Sequence, residues 1–552
     1  MKRFLLLAPF LAAALSPGCN DTGPYARATR ITNRTQAIGG RAALADLGDY
    51  ILENDRLRIA LPERGNSTGP GLYGGSLMDA DIQRPQAAFR NGRGKDQFTE
   101  LFPIANLSIP AVCEDDREKI DSFCERLPRG VRPRITIVCD GLTPCELDLA
   151  REVNADYALE GAMPSAQAAI VRVEGQAGNY LEALGLVKIA NVKTNFRFRN
   201  DYILEPGEDF VRIRTLFQET RDDGSLTGGE LVELPSLTGA QALFGILLGS
   251  DFFDTHLEGL DPGVAGGDFL FFGARLGVFA PGIGFDIYKG IRNKVAVGED
   301  PFNNPIAADF IAGVGEDVSY AIASADAGGK YLLPLYSGAV TAGFTHGAHC
   351  HPGPCPGTPD ECANVLDCTG LGKYVFERLF AVGDGDVASA AAPIYRQWGL
   401  ETGRVRGHVY DRRTGQPVTR AEVHVYPVPA TMGDCRPGLQ PEQAGRPYDL
   451  GPDGFEQHCL QPRHYMGAVN HFRTDRRATD LPRGAFGGQL PAGRYYLLAK
   501  KKYHPTSRVV AVEVRGDKTT EVALHLLPPA TIQFEVRDEQ GRRLPSKLTV
   551  GQ

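Results

Sequence analysis

The stretch NDYILEPGEDFVRIRTLF, residues 200–217, decides the fold class. Two runs rich in β-branched and aromatic residues flank Pro206-Gly207. Pro presets φ and Gly supplies positive φ, which is the chemistry of a tight turn. In the second run Val211, Ile213 and Thr215 alternate with Arg212, Arg214 and Leu216. A period of two puts successive side chains on opposite faces, so this run reads as a half-buried strand. The piece is expected to be strand, Pro-Gly turn, strand.

The same pattern recurs from about residue 43 to 395. DYILENDRLRIAL (49–61), AAIVRVEG (168–175), GDFLFFGARLGVFA (267–280) and DVSYAIASA (317–325) are short apolar or alternating runs bounded by turn residues. With 65 Gly, 38 Pro and few long helical patterns, the chain is expected to be all-β. At 552 residues it has room for two to four domains.

NDYILEPGEDFVRIRTLF resembles the paired strands of the galactose-mutarotase-like supersandwich. LENDRLRIALPE (52–63), GGSLMDADI (74–82) and FAVGDGDVASA (380–390) resemble the N-terminal part of exported bacterial proteins. In those proteins the later part is a PHP-type metallohydrolase of the CehA/McbA kind. The resemblance implies a large supersandwich-like β domain over 43–400. That architecture hosts catalytic and non-catalytic members alike, so it does not by itself give a function.

Residues 401–527 resemble the carboxypeptidase regulatory-like, or transthyretin-like, β-sandwich. TGRVRGHVYDRRTGQPVTRAEVHVYPV (402–428) is strand, Asp-x-x-Thr-Gly turn, strand. Gly407 belongs where the first strand leaves no room for a side chain, and Gly415 supplies the turn's positive φ. Pro491-Ala492-Gly493 is expected to turn the chain into a last hairpin carrying Tyr495, Leu497 and Ala499. An insertion over 429–471 carries Cys435 and Cys459. Residues 528–552 begin a third β unit with only two strands, too few to bury an apolar face alone. Either they pair with the preceding domain or they start something longer.

The N-terminus, MKRFLLLAPFLAAALSPGC, has a basic start and an apolar run from Phe4 to Leu15. This is a signal-peptide layout over residues 1–18, too short to span a bilayer comfortably. Leu15-Ser16-Pro17-Gly18-Cys19 resembles a bacterial lipoprotein box, with Ser16 where Leu is usual. It implies lipidation of Cys19 and a tether over 19–42. The expected location is the periplasm or cell surface, on a lipid anchor. The other ten Cys fall into even local groups: Cys113 and Cys124; Cys139 and Cys145; Cys350, Cys355, Cys362 and Cys368; Cys435 and Cys459. Such grouping is expected of disulfides in an oxidising compartment. Within 350–368 three connectivities are open.

Net charge is −8, with 59 Lys and Arg against 67 Asp and Glu and no long basic run. The footprint of a nucleic-acid binder is missing. THGAHCHPGPC (345–355) brings together His346, His349 and His351, the side chains a metal site would use. His349-x-His351 after an apolar run resembles the start of a PHP metal site, but no further His and Asp series follows it. A disulfide-held loop is therefore expected, with no metal or other cofactor. Cys435, His458, Cys459, His464 and His471 could form a Cys₂His₂ site; a surface disulfide with solvated histidines is the expected reading. Asp251, Asp254 and His256, and Glu100 and Glu205, are weaker candidates for acid–base chemistry, expected instead to be turn and capping residues. No phosphate-loop spacing and no Gly-x-Ser-x-Gly elbow occurs.

The sequence therefore points to an exported, lipid-anchored, non-catalytic β protein of the cell envelope with a binding or scaffolding role. Its expected partners are the membrane, through the lipid, and a carbohydrate or an envelope protein. The rival reading is the accessory N-terminal part of a CehA/McbA-like metal-dependent hydrolase whose PHP domain lies outside this chain.

Overall fold

The computed structural model describes residues 23–63, 74–105, 108–111, 134–145, 164–179, 196–219, 266–273, 275–285, 306–336, 340–345, 349–351, 365–367, 373–428, 467–476, 481–528 and 534–545. Among the described residues one α-helix, Val387–Gln397, stands against 27 strands. The chain is all-β, as its turn-rich composition predicts.

Phe196–Leu204 and Phe210–Glu219 pair antiparallel, with Arg212 opposite Ile203 and Thr215 opposite Asn200. Between them Gly207 takes a φ of +79°, and its amide donates to the Asp55 carboxylate at 2.8 Å. The half-buried expectation for residues 210–217 is corrected. Val211, Ile213 and Thr215 are buried, but so are Arg214 and Leu216. The arginine face can be buried because charges alternate across it. Glu377, Arg214, Asp201 and Arg172 stand opposite one another on four successive strands. Arg172 Nε donates to Asp201 at 2.8 Å and Arg214 Nε to Glu377 at 2.7 Å. Each guanidinium thus answers a carboxylate, the condition for taking charge out of water.

These strands belong to a 14-stranded sheet. It folds back on itself: Asp268 on Gly266–Phe271 meets Arg378 on Lys373–Gly383 in the interior, although the two strands are not sheet neighbours. A four-stranded antiparallel sheet, made of Ala26–Arg30, Tyr50–Asn54, Leu57–Leu61 and Asp79–Ile82, packs on it. The shared core includes Leu52, Ile59, Leu77, Phe98, Tyr202 and Phe380. The tether expected over 19–42 is corrected here. Ala26–Arg30 is a paired strand, and Ile31 and Ile38 are buried. Small Ala26 and Ala28 face the core, so the segment looks polar in sequence while presenting an apolar face.

Two further sheets form the sandwich. Thr402–Asp411 lies between Ala485–Pro491, antiparallel, and Thr519–Leu526, parallel. Facing it are Asn470–Arg473, Glu422–Pro427, Gly493–Lys500 and Val510–Val514. A Cβ at Gly407 would sit 2.5 Å from both Phe486 and the Val522 carbonyl, which is why that strand needs glycine. Pro491-Ala492-Gly493 leads into Gly493–Lys500, which pairs antiparallel with Val510–Val514 as the expected last hairpin, while the strands on either side of this turn lie in different sheets. It carries the chain from one layer to the other. Asn470–Arg473 is part of the sheet, so the insertion expected over 429–471 stops short of Asn470. Residues 534–545 form a turn around Asp538 with one bridge, Arg537 to Arg543. Phe534, Val536 and Leu544 there are exposed.

Over residues 496–499 both faces of the strand Gly493–Lys500 are buried. Leu497 and Ala499 enter the sandwich core. Tyr496 and Leu498 pack instead with Phe279, Phe310 and Tyr395 of the large domain. The helix Val387–Gln397 lies at this junction. Its N-cap Asp386 accepts from the Ser389 amide at 2.8 Å, a strong helix start. Arg476 of the sandwich, itself buried, binds Asp384 and Asp386 and the Gly487 carbonyl. The GDGD of residues 383–386 is thus a strand-to-helix turn whose carboxylates clasp the next domain.

Candidate functional site

A cavity of about 870 Å³ opens where the long sheet meets the sandwich. One wall is Arg275, Gly277, Phe285 and Val314; the other is Glu422, His424, His471 and Arg473. The second wall follows from strand register. Glu422 and His424 are two apart on Glu422–Pro427, hence on one face. His471 stands directly opposite His424, and Arg473 and Lys500 flank Glu422 on the two neighbouring strands.

The two imidazoles meet at 5.5 Å between ring centroids, and Phe285 sets its edge against His471 at 5.0 Å. His471 is buried, with a relative exposure of 1 %. Neither of its ring nitrogens has a hydrogen-bond partner among the described residues. Burial, reinforced by His424, Arg473 and Lys500, pushes its pKa down to about 3, while Glu422 pulls the other way. It is a neutral imidazole at physiological pH, with one donor and one acceptor unmet. The neighbouring His424 imidazole, with the charge of Arg473 beside it, holds Glu422 down to about 2. His424 Nε2 and Glu422 Oε2 are 3.7 Å apart.

A second cavity, of about 390 Å³, lies on the N-terminal sheet. Of its charged lining, Arg27 and Arg58 bind Glu53, Arg84 binds Asp81, and Arg90 donates to the Pro85 carbonyl at 3.0 Å. Of these two cavities, and among the described residues, the junction cleft is lined by a buried polar group left unsatisfied, and such a group costs about 1–3 kcal/mol unless something pairs with it.

The residues singled out in sequence fare unevenly. Cys139 is bonded to Cys145, with Cα atoms 5.3 Å apart. His349–His351 is a short strand running parallel to Val365–Asp367, with Cys350 opposite Leu366 and His351 opposite Asp367. Glu205 accepts from the Ser165 amide at 2.9 Å and from its hydroxyl, a loop-capping role. Glu100 is buried and accepts from Ser76 Oγ. His471 is corrected: it is no solvated loop histidine but a strand residue in the cleft wall. Cys19, Cys113, Cys124, His346, Cys355, Cys362, Cys368, Cys435, Cys459, His458, His464, Asp251, Asp254 and His256 lie outside the described residues. Among the described residues no group of three or more His, Cys, Asp or Glu is placed to hold a metal ion. No described helix is long and apolar enough to cross a membrane.

No family model matches the chain, and no curated protein does. Several solved structures share partial likeness. The minor pilin of Streptococcus agalactiae aligns at 12% identity and a TM-score of 0.15, over 41% of this chain and 71% of the pilin. The C-terminal domain of shaft pilin SpaA from Lactobacillus rhamnosus GG aligns at 10% identity and 0.14, over 23% of this chain and 98% of that domain. An alpha-mannosidase from Enterococcus faecalis aligns at 9% identity and 0.28, over 63% of this chain and 31% of the enzyme. These likenesses are partial and assign no activity.

Sequence reasoning missed Glu422 and His424. The signal was present in AEVHVYPV: Val423 and Val425 supply one apolar face, so Glu422 and His424 share the other. That face looks solvent-bound until a second domain covers it.

Proposed function

We propose that this chain is an exported, lipid-anchored, non-catalytic binding protein of the cell envelope, with the junction cleft as its ligand site and a carbohydrate as its ligand. The cleft carries the reading: both domains build it, and it holds a buried imidazole with no hydrogen-bond partner among the described residues. Ligand pockets commonly lie at domain interfaces and combine a shaped cavity with a few unmet polar groups. The signal layout and Cys19 supply the envelope location.

The test is a screen of the full chain against saccharides and peptides, with hydrogen exchange on every binder found. The reading expects a saccharide that slows exchange in residues 422–424 and 471–473. A panel without binders, or one whose binders protect another surface, contradicts it. For the anchor, Cys19→Ser should move the protein from the membrane fraction to the soluble one. Continued sedimentation of the variant, with no lipid on the wild type by mass spectrometry, contradicts the anchor.

The second reading, an accessory part of a CehA/McbA-like hydrolase, rests on the resemblance of LENDRLRIALPE, GGSLMDADI and FAVGDGDVASA. It expects an in-frame or frameshifted His-x-His domain when the gene is read past codon 552.

A further inference from the structure

The next step rests on the binding reading of the junction cleft and names the class of ligand. Five cationic side chains reach this cleft, against the carboxylates of Glu316 and Glu422. Arg41 and Arg420 both lean on Glu316, at 3.2 and 3.8 Å. Arg473 is fixed differently. It donates to the backbone carbonyls of Gly315 and Glu316 at 2.9 and 3.0 Å, so the main chain fixes its guanidinium in place. Arg275 is exposed on the opposite wall and makes no ion pair among the described residues. The cleft therefore presents surplus positive charge, part of it pre-oriented by the main chain. Guanidinium groups so placed suit a planar carboxylate.

The rest of the lining narrows the class. The carboxylate oxygens of Glu316 and Glu422 accept hydrogen bonds, so the ligand must also donate. His471 offers one donor and one acceptor, and a hydroxyl can answer either one. A compact dianion such as a phosphate would face two like charges and leave these groups unmet. Phe285 and Val314 offer an apolar surface for the C–H face of a ring. We infer that the cleft binds a carboxylate-bearing polyol, the uronic-acid unit of an acidic saccharide, with its carboxylate among Arg275 and Arg473 and its hydroxyls on Glu422 and His471.

The experiment is calorimetric titration of the full chain with a hexuronate trisaccharide and with its carboxyl-reduced, neutral counterpart. The uronate should bind at least about tenfold more tightly, and rising salt should weaken only the uronate, as screening of a charge contact requires. Arg275→Glu, an exposed change that leaves the fold intact by melting temperature, should cost the uronate about tenfold and leave the neutral sugar unmoved. His471→Phe should weaken both sugars, because it removes hydroxyl contacts. Equal affinity for the two sugars, or an Arg275→Glu variant that binds the uronate unchanged, overturns the charge assignment and leaves the binding reading standing. Binding of neither sugar overturns it too. If the wider screen is also empty, the binding reading falls with it.

Discussion

Replacing Arg378 by Met should destabilise the protein by about 3–5 kcal/mol, the range for one partner removed from a buried ion pair. Arg378 and Asp268 are both fully buried. Arg378 Nε and Nη2 grip the two carboxylate oxygens at 2.9 and 2.7 Å, and Nη1 reaches Thr215 Oγ1 at 2.6 Å. Tyr331 adds a hydrogen bond to Asp268 at 3.2 Å. Burial already pushes the Asp268 carboxyl up, and Arg378 opposes that push. Without the guanidinium the carboxylate must take up a proton or drag water into the core. The pair also ties two distant strands of the folded-back sheet, so closure of the sheet suffers as well. Urea unfolding monitored by tyrosine fluorescence reads the loss as a lower midpoint. The double variant Arg378→Met with Asp268→Leu should recover much of it, because no unpaired charge then remains. A single variant as stable as the wild type would contradict a dry interior there.

The second large effect is expected at Arg476. Arg476→Met leaves Asp384 and Asp386 buried together with no cation between them, again a loss of about 3–5 kcal/mol. Here the consequence is also spatial. Arg476 belongs to the sandwich, while the two aspartates start the helix of the large domain. Arg473 adds a backbone amide to Asp386 at 3.2 Å. Loosening this clasp should let the sandwich unfold separately, splitting one thermal transition into two by calorimetry. It should also weaken any ligand of the cleft, whose two walls come from the two sides. A single unshifted transition would show that the apolar contacts of Tyr496 and Leu498 suffice without the clasp.

The β class was legible because alternation is local. FVRIRTLF carries its own period, and Pro206-Gly207 its own turn. Gly407 and Gly415 were legible for the same reason, since each answers a backbone demand inside its own segment. What could not be read was what covers each face. Arg214 looks solvent-facing until Asp201 and Glu377 appear on neighbouring strands. Ala26–Arg30 looks like a tether until Tyr50–Asn54 pairs with it. His471 looks like a loop histidine because the residues it meets, His424 and Phe285, are far off in the chain. Sites built between domains escape any reading that proceeds one segment at a time.

His471 gives the most direct measurement. Its native pKa, about 3, lies below the ordinary 6.5. Between those values the unfolded chain holds a proton that the native imidazole refuses. This contribution to stability is therefore complete above pH 6.5 and is lost as pH falls toward 3, by up to about 1.4 kcal/mol per pH unit. Asp79, raised to about 6 by burial, and Asp96, also raised by burial, act in the opposite sense. A global stability profile mixes these terms, so the imidazole itself must be observed. Nitrogen-15 NMR of labelled histidine, recorded on the full chain from pH 8 to 4 with and without the hexuronate trisaccharide, does this. The account predicts a His471 ring that stays neutral throughout and whose nitrogen shifts move when the saccharide saturates the cleft. A His471 that titrates near 6.5 in the folded protein, or that ignores saturating ligand, would contradict it.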